Sequence, residues 1–234
     1  MFLALFKFTK KQEEFFMRKN YIFLIIIIIF FMAACGISEE RHSQSVKVDD
    51  IETIYINHGS TNLHLKSAEQ ENVEASYSKR KITMNEGNEQ ITFGVKKKWI
   101  NIGFNFKMNA KFEVTIPNDF KGKLVVKGGS GNVTSKQLST RNLDIKTVSG
   151  NIAIMFADYH SDVYVATTSG DIGLVLNQEK PDVILKSKTV SGSNIITIPI
   201  SFNESQGGKK VEGISGEGSF EIGIKTVSGD ITVN

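Results

Sequence analysis

Thr147-Val148-Ser149-Gly150-Asn151-Ile152 is a phrase that this chain repeats. It returns as Thr167-Thr168-Ser169-Gly170-Asp171-Ile172 and as Thr189-Val190-Ser191-Gly192, and it closes the sequence as Thr226-Val227-Ser228-Gly229-Asp230-Ile231. Weaker copies stand at Ser130-Gly131-Asn132-Val133 and Ser215-Gly216-Glu217-Gly218. The glycines fall at 131, 150, 170, 192, 216 and 229, so the period is near 20 residues over most of the run. A phrase at near-constant period means one small structural unit stacked on copies of itself.

Apolar residues keep fixed distances from each glycine. Seven before it stand Leu124, Leu143, Val163, Leu185 and Ile222; five before it stand Val126, Ile145, Val165, Ser187, Val211 and Ile224. Two after it come Val133, Ile152, Ile172 and Ile231, and four after it Ile154, Leu174, Phe220 and Val233. Side chains alternate along a strand, so even spacings share one face. Each unit therefore reads as strand, Ser-Gly corner, strand, with one apolar face. A unit of this size cannot bury that face alone, and stacking about 4.8 Å apart in parallel ladders lines a common interior. The predicted fold is all-β: a β-solenoid, parallel β-helix-like, of Ser-Gly-Asp/Asn turn repeats preceded by a β-rich N-terminal portion. No helical apolar period runs through the repeat, which excludes a doubly wound sheet.

The corner chemistry fits. Glycine tolerates the positive φ of a sharp corner. Asn132, Asn151, Asp171 and Asp230 follow it and can bond turn backbone. Stacking puts them in a column, and chain order sets Asp171 between Asn151 and Ser193, diluting the charge. Thr147, Thr167, Thr189 and Thr226 lie in phase with the inward face, so each hydroxyl must bond the corner backbone or a neighbouring threonine. The chain ends just after its last corner, which predicts an open edge covered by the N-terminal strands or by a second molecule; oligomerisation through that end is the expectation.

Upstream the signal is plain alternation. Strands are expected around Ile54 and Ile56, at Leu63 and Leu65, over Val73 to Tyr77, Lys81 to Met84, Gln90 to Val95 and Lys111 to Ile116. Glu86-Gly87-Asn88-Glu89 reads as a hairpin turn. The expected organisation is a signal peptide over 1–34, a lipidated cysteine and tether over 35–47, a β-rich part over 48–120 and solenoid repeats over 121–234.

Arg18 and Lys19 precede an uncharged apolar run from Tyr21 to Ala34, and Met32-Ala33-Ala34-Cys35-Gly36 follows. A basic start, a short apolar core and small residues before a cut site form a secretory signal, with Met17 the expected true start. The cysteine after those small residues resembles the lipobox of bacterial lipoproteins, which implies that Cys35 carries a diacylglycerol after cleavage. The alternative is an uncleaved membrane helix, since 20–38 is uncharged. Cys35 is the only cysteine, so the body has no disulfide to hold it. The formal charge of +3 belongs to the leader: beyond residue 35 the chain carries 23 basic and 23 acidic residues. A neutral body argues against a nucleic-acid partner.

Glycine-corner phrases of this form after an exported leader resemble the bacterial envelope family labelled putative adhesins, a domain of unknown function that includes the LiaG-like proteins. The resemblance covers about Ile51 to Asn234, including Ile54-Tyr55-Ile56-Asn57 and Val114-Thr115-Ile116-Pro117. It implies a solenoid-like domain at the cell surface; together with the lipobox and the lack of catalytic residue patterns, the expectation is a non-enzymatic protein held by a lipid anchor on the extracytoplasmic face of the bacterial cell membrane. Its partners would be the membrane itself and an envelope polymer or a membrane protein. The second expectation is a carbohydrate-binding or carbohydrate-active β-helix; the third, from the LiaG-like resemblance alone, is an accessory component of envelope-stress sensing.

The residues themselves supply little catalytic chemistry. His42, His58, His64 and His160 are scattered and read as surface side chains, and no Cys or acidic cluster completes a metal site. No cofactor is implied. The serines of Ser-Gly lack the strand-turn-helix setting of a nucleophile elbow. Asp144, Asp162, Asp182 and Arg141 are the acid and guanidinium candidates on strand exteriors, but they share no offset, as paired-carboxylate sugar chemistry would need. The best binding candidate is Lys96-Lys97-Lys98-Trp99, with Phe104 and Phe106 nearby. Basic and aromatic groups together suit anionic headgroups or teichoic-type polymers; a charged strand edge is the plainer reading.

Overall fold

Each alternating segment of the sequence becomes a strand. The computed structural model describes residues 42–78, 81–95, 111–206 and 208–234, with side chains left aside over 202–206. Nineteen strands run along them, with no helix among the described residues. They are β1 (His42–Lys47), β2 (Thr53–Gly59), β3 (Leu63–Ala68), β4 (Asn72–Tyr77), β5 (Ile82–Glu86), β6 (Gln90–Val95), β7 (Phe112–Pro117), β8 (Lys123–Gly128), β9 (Val133–Lys136) and β10 (Asn142–Thr147). Then come β11 (Ile152–Met155), β12 (Asp162–Ser169), β13 (Ile172–Val175), β14 (Val183–Ser191), β15 (Asn194–Ile196), β16 (Ser201–Gln206), β17 (Lys210–Ser215), β18 (Phe220–Ser228) and β19 (Ile231–Val233). All fall in the unit Glu40–Asn234; the other unit, Met1–Glu39, lies outside the described residues.

Two mixed sheets result. One has nine strands in the order β1-β4-β7-β3-β9-β11-β13-β19-β15; the other has ten, β16-β17-β14-β18-β12-β10-β8-β2-β6-β5. Each repeat leaves the ten-stranded sheet, turns its Ser-Gly corner and enters the nine-stranded one: β8 to β9, β10 to β11, β12 to β13, β14 to β15 and β18 to β19. The pair β2 and β3 does the same, so it is a further rung in register with the repeat: Ile54 faces Leu124, and Leu63 faces Val133.

The apolar offsets become one interior. Leu124, Leu143, Val163, Ile222 and Leu185 form a continuous buried row across neighbouring strands. On the other sheet Val133, Ile152, Ile172 and Ile231 form another. Burying each such side chain contributes about 1.5–3 kcal/mol, which offsets the entropy lost in ordering the rung. Aromatic residues add edge-to-face contacts to this core: Tyr77 meets Phe112, and Tyr159 meets both Phe156 and Phe220.

The order of the rungs departs from the sequence. β18 lies between β12 and β14, and β19 between β13 and β15. The last rung of the chain is thus an inner rung of the stack, and the expected open edge at the chain's end is absent. Asp171 accordingly neighbours Asn151 and Asp230, not Ser193, and the two carboxylates sit on adjacent rungs. Ser215-Gly216-Glu217-Gly218 is no corner of the repeat. It leaves antiparallel β17 and crosses β14 to reach β18, held by the Asp182 carboxylate, which accepts from the backbone N–H groups of Gly218 and Ser219. Phe220 therefore opens a strand of the ten-stranded sheet, opposite Val183. The physical reason is that every rung presents the same rows, so a rung fits any slot; the linkers at 176–182 and 216–219 choose which.

Antiparallel strands flank the parallel rungs. β17 and β16 cover β14 at one end of the ten-stranded sheet; β5 covers β6 at the other, through the turn predicted at Glu86–Glu89. On the nine-stranded sheet β4 and then β1 lie beyond β7. From His42 onward the segment read as tether is thus strand, paired from His42 opposite Tyr77 to Lys47 opposite Asn72.

Candidate functional site

Cys35 and the cluster Lys96, Lys97, Lys98 and Trp99 lie outside the described residues. What the structure does show is how each corner is built and what the sheets present outward. The corner residues form a ladder. Asn62 Oδ1 accepts from Asn132 N–H at 2.9 Å, Asn132 from Asn151 at 3.0 Å and Asn151 from Asp171 at 3.0 Å. Asp171 accepts from Asp230 at 2.9 Å, and Asp230 from Ser193 at 2.8 Å. The column was legible in the repeat except for its head, Asn62, which follows no Ser-Gly phrase.

The threonine column is buried beside it. Thr147 Oγ1 donates to Thr167 Oγ1 at 3.0 Å, while Thr189 donates to the Gly229 carbonyl at 2.9 Å and Thr226 to the Gly170 carbonyl at 3.3 Å. Every hydroxyl is spent on the corner, as burial demands. Gly128 holds the threonine position opposite Thr147, because a side chain there would collide with the ring of His58. His58 is fully buried at a register shift of β2, contrary to its reading as a surface residue. Its Nδ1 lies 2.7 Å from the Thr61 carbonyl, so that nitrogen carries the hydrogen. Desolvation pushes its pKa below 6.5 despite that bond, and the ring is neutral. His64 instead reaches Thr134 Oγ1 at 3.1 Å.

The acid candidates are occupied structurally. Asp144 pairs with Lys146 at 3.1 Å and Lys123 at 3.7 Å, and Asp162 accepts from Glu221 N–H at 2.9 Å. Asp182 holds the crossover, and hydrogen bonds from Ser219 keep its pKa below the usual carboxylate value. Arg141 lines a polar cleft of about 490 Å³ with Asp119, Lys121, Asp158 and His160, where His160 Nδ1 lies 3.2 Å from Asp158. Among the described residues no group of three or more His, Cys, Asp or Glu gathers as metal ligands would.

The outer face of the ten-stranded sheet has the most ordered chemistry. One row across six adjacent strands reads Lys127, Lys146, Ala166, Lys225, Lys188, Lys210. At about 4.8 Å per strand this row is roughly 24 Å long. Lys146 and Lys225 flank the Tyr164 ring, 5.0 and 5.7 Å from its centre. Lys127 and Lys188 have no ion pair among the described residues. Beyond Lys127 the face sinks into a groove of about 360 Å³ lined by Tyr55, Asn57, Thr92 and Val125. Like charges side by side on a sheet are destabilising, and these strands lie inside the sheet, where edge protection has no use. Four of the lysines stand four residues before a repeat glycine. That regularity is visible in the sequence, yet counting only inward offsets passes over it. Lys210 joins the row from antiparallel β17, which no repeat announces.

The family model described as Toastrack DUF4097 matches residues 51–154 and, in a second copy, residues 134–234. No curated protein matches the chain. Among solved structures, a putative cell adhesion protein from Clostridium sporogenes superposes with a TM-score of 0.60 at 14% identity, over 83% of this chain and 98% of that one. At that identity the likeness is one of fold. A putative adhesin from Bacteroides fragilis is 15% identical over 85% of this chain and 100% of that one, with a TM-score of 0.36.

Proposed function

The chain belongs to the Toastrack DUF4097 family, and from that premise we propose that it is a non-enzymatic interaction scaffold of the bacterial envelope, lipid-anchored through Cys35 and displayed on the extracytoplasmic face of the membrane. The rungs are read as a β-solenoid whose function is presentation of a surface. The observation that carries this reading is the lysine row: five cations held in register by main-chain pairing, of which Lys146 and Lys210 pair with Asp144 and Glu212 while Lys127 and Lys188 have no ion pair among the described residues. A stacked repeat is well suited to such a row, because one residue choice per unit is multiplied along the sheet. The neighbour described as a cell adhesion protein agrees with a surface role.

Two acyl chains on Cys35 would hold the protein firmly, since a single chain binds a bilayer only weakly. Metabolic labelling with palmitate, comparing the full chain with Cys35→Ala, tests the anchor, and protease shaving of intact cells tests the display. Label lost in Cys35→Ala together with cleavage on whole cells is the expected result. Equal labelling in both chains removes the anchor; protection from protease removes the display.

The carbohydrate reading draws on the polar cleft at Arg141, Asp158 and His160. Its carboxylates, guanidinium and imidazole suit sugar hydroxyls. Retention on immobilised envelope polysaccharide that falls with Asp158→Ala would favour it over the scaffold.

A further inference from the structure

Beside the lysine row, two residues further along the chain, runs a second row: Val148, just past the end of β10, then Thr168, Val227 and Val190 on β12, β18 and β14, in spatial order. Val148 is 60% exposed, Val227 50% and Val190 62%. These are three of the five large exposed hydrophobics among the described residues, and they stand in one line. Thr168 is exposed too. Each valine belongs to the repeated phrase itself, two residues before the glycine, while the threonine between it and the core is buried. Nothing in the corner needs it to be apolar: Thr168 fills the same position with a hydroxyl.

On this face Asp144, Asp162, Glu212 and Glu221 lie in the two rows farthest from the valines, where Lys123 pairs with Asp144 and Lys186 with Glu221. The lysine row comes next and the valines last, at the corner, where the exposed Asp171 and Asp230 each commit a carboxylate oxygen to the backbone ladder. An apolar rim backed by a line of cations has the cross-section of a surface that rests on an anionic bilayer. The apolar groups enter the boundary between headgroups and acyl chains, and the ammonium groups reach the phosphates. A soluble anionic polymer would use the lysines but leave the valines in water.

We propose that the Val148–Val227–Val190 rim and the Lys127–Lys146–Lys225–Lys188 row together form a docking surface for an anionic phospholipid bilayer, seating the domain on its side against the membrane that anchors it. This rests on the anchored reading above. Six residues separate Cys35 from His42, a span of at most about 25 Å when extended, so the anchor keeps the domain close to lipid. At such an effective concentration weak docking suffices. Three valines and four lysines are in scale with that: each lysine near an anionic surface favours the bound state about fivefold.

The test uses the full chain reconstituted into vesicles, with Val190→Cys carrying a polarity-sensitive fluorophore and Met155→Cys as the control. Met155 is exposed on β11 of the other sheet. The unsubstituted chain, labelled in parallel, gives any contribution of Cys35. In phosphatidylglycerol vesicles the Val190 probe should shift to the blue and lose at least about threefold of its quenching by aqueous iodide, the Met155 probe should not, and phosphatidylcholine vesicles should leave both wet. Changing Lys127, Lys188 and Lys225 to Gln should lower the docking constant about 100-fold and return the Val190 probe to water. Thr168→Val, which completes the apolar row, should deepen the shift. Equal wetting of the two probes on vesicles that retain the chain overturns the docking surface and leaves the anchor standing. A chain that leaves phosphatidylcholine vesicles but stays on phosphatidylglycerol vesicles with a dry Val190 probe fails at the anchor and supports docking; a chain that stays on neither overturns both. Binding of soluble polyglycerol phosphate with the probe wet on vesicles assigns the lysines to a polymer and overturns the bilayer.

Discussion

The three rungs β8–β9, β10–β11 and β12–β13 stack in the order in which they are written; β14–β15 and β18–β19 stack in reverse. Both sets use the same corner, the same inward rows and the same side-chain ladder. Gly150 packs against Gly131, its predecessor in the chain, whereas Gly192 packs against Gly229, which follows it. The lesson is that a repeat specifies the rung and its register but not its slot. Parallel pairing is satisfied by any neighbour that offers the same rows, so the linkers decide the order.

Truncation before Phe220 tests this most strongly. In the observed order it empties an inner slot and removes the fully buried Ile222, Ile224, Ile231 and Val233. At about 1.5–3 kcal/mol each, the loss rivals the whole stability of a typical domain, and the truncated chain should be unfolded by circular dichroism. In sequence order the same cut would only shorten one end, and a cooperative melt would survive.

The corner glycines give the next largest effect. A Cβ at Gly192 would collide with the Gly229 carbonyl, at a φ of +151° that side chains resist. Gly192→Ala should cost roughly 3 kcal/mol or more, read as a shift in the urea midpoint. Gly59, at φ +59° with open space around it, sets the comparison, and Gly59→Ala should cost only about 1 kcal/mol.

His58 separates the first corner from the threonine corners. Its folded-state pKa is held below 6.5 by burial, so the unfolded chain takes up a proton first as pH falls. Stability contributed by the neutral ring is full above about 6.5 and declines as pH drops toward the folded pKa. The fall in melting temperature between pH 7.5 and 5 should be smaller in His58→Gln than in the parent. An unchanged pH slope would mean the ring is not buried there.

The smallest effect comes from the carboxylates that the swapped order brings together. Asp171→Asn keeps the acceptor for Asp230 N–H and removes a like charge on the next rung. A gain of a few tenths of a kcal/mol, about 0.3, is expected at low salt and should vanish at high salt. A neutral, salt-independent result would fit Asp171 beside Ser193.

The candidate surface was half legible. Lys127, Lys146, Lys188 and Lys225 recur four before the glycine, and Val148, Val190 and Val227 two before it. The even offsets that these positions share were those of the outward face, next to the inward ones that drew attention. His58 was not legible, because its burial depends on Gly128, 70 residues away, leaving room for a ring.

By itself the sequence determined the rung: its strands, its glycine corner, its buried threonine and the faces on which lysine, valine and leucine stand. Those follow from local rules, namely alternation along a strand and the φ that only glycine accepts without strain. The tertiary structure decided the neighbours. Identical rungs are interchangeable partners in hydrogen bonding, so no local rule could place β18 and β19 inside the stack, set Asp171 against Asp230, or bring Lys210 into line with Lys188. Only the reach of two linkers and the closure of a common core did so.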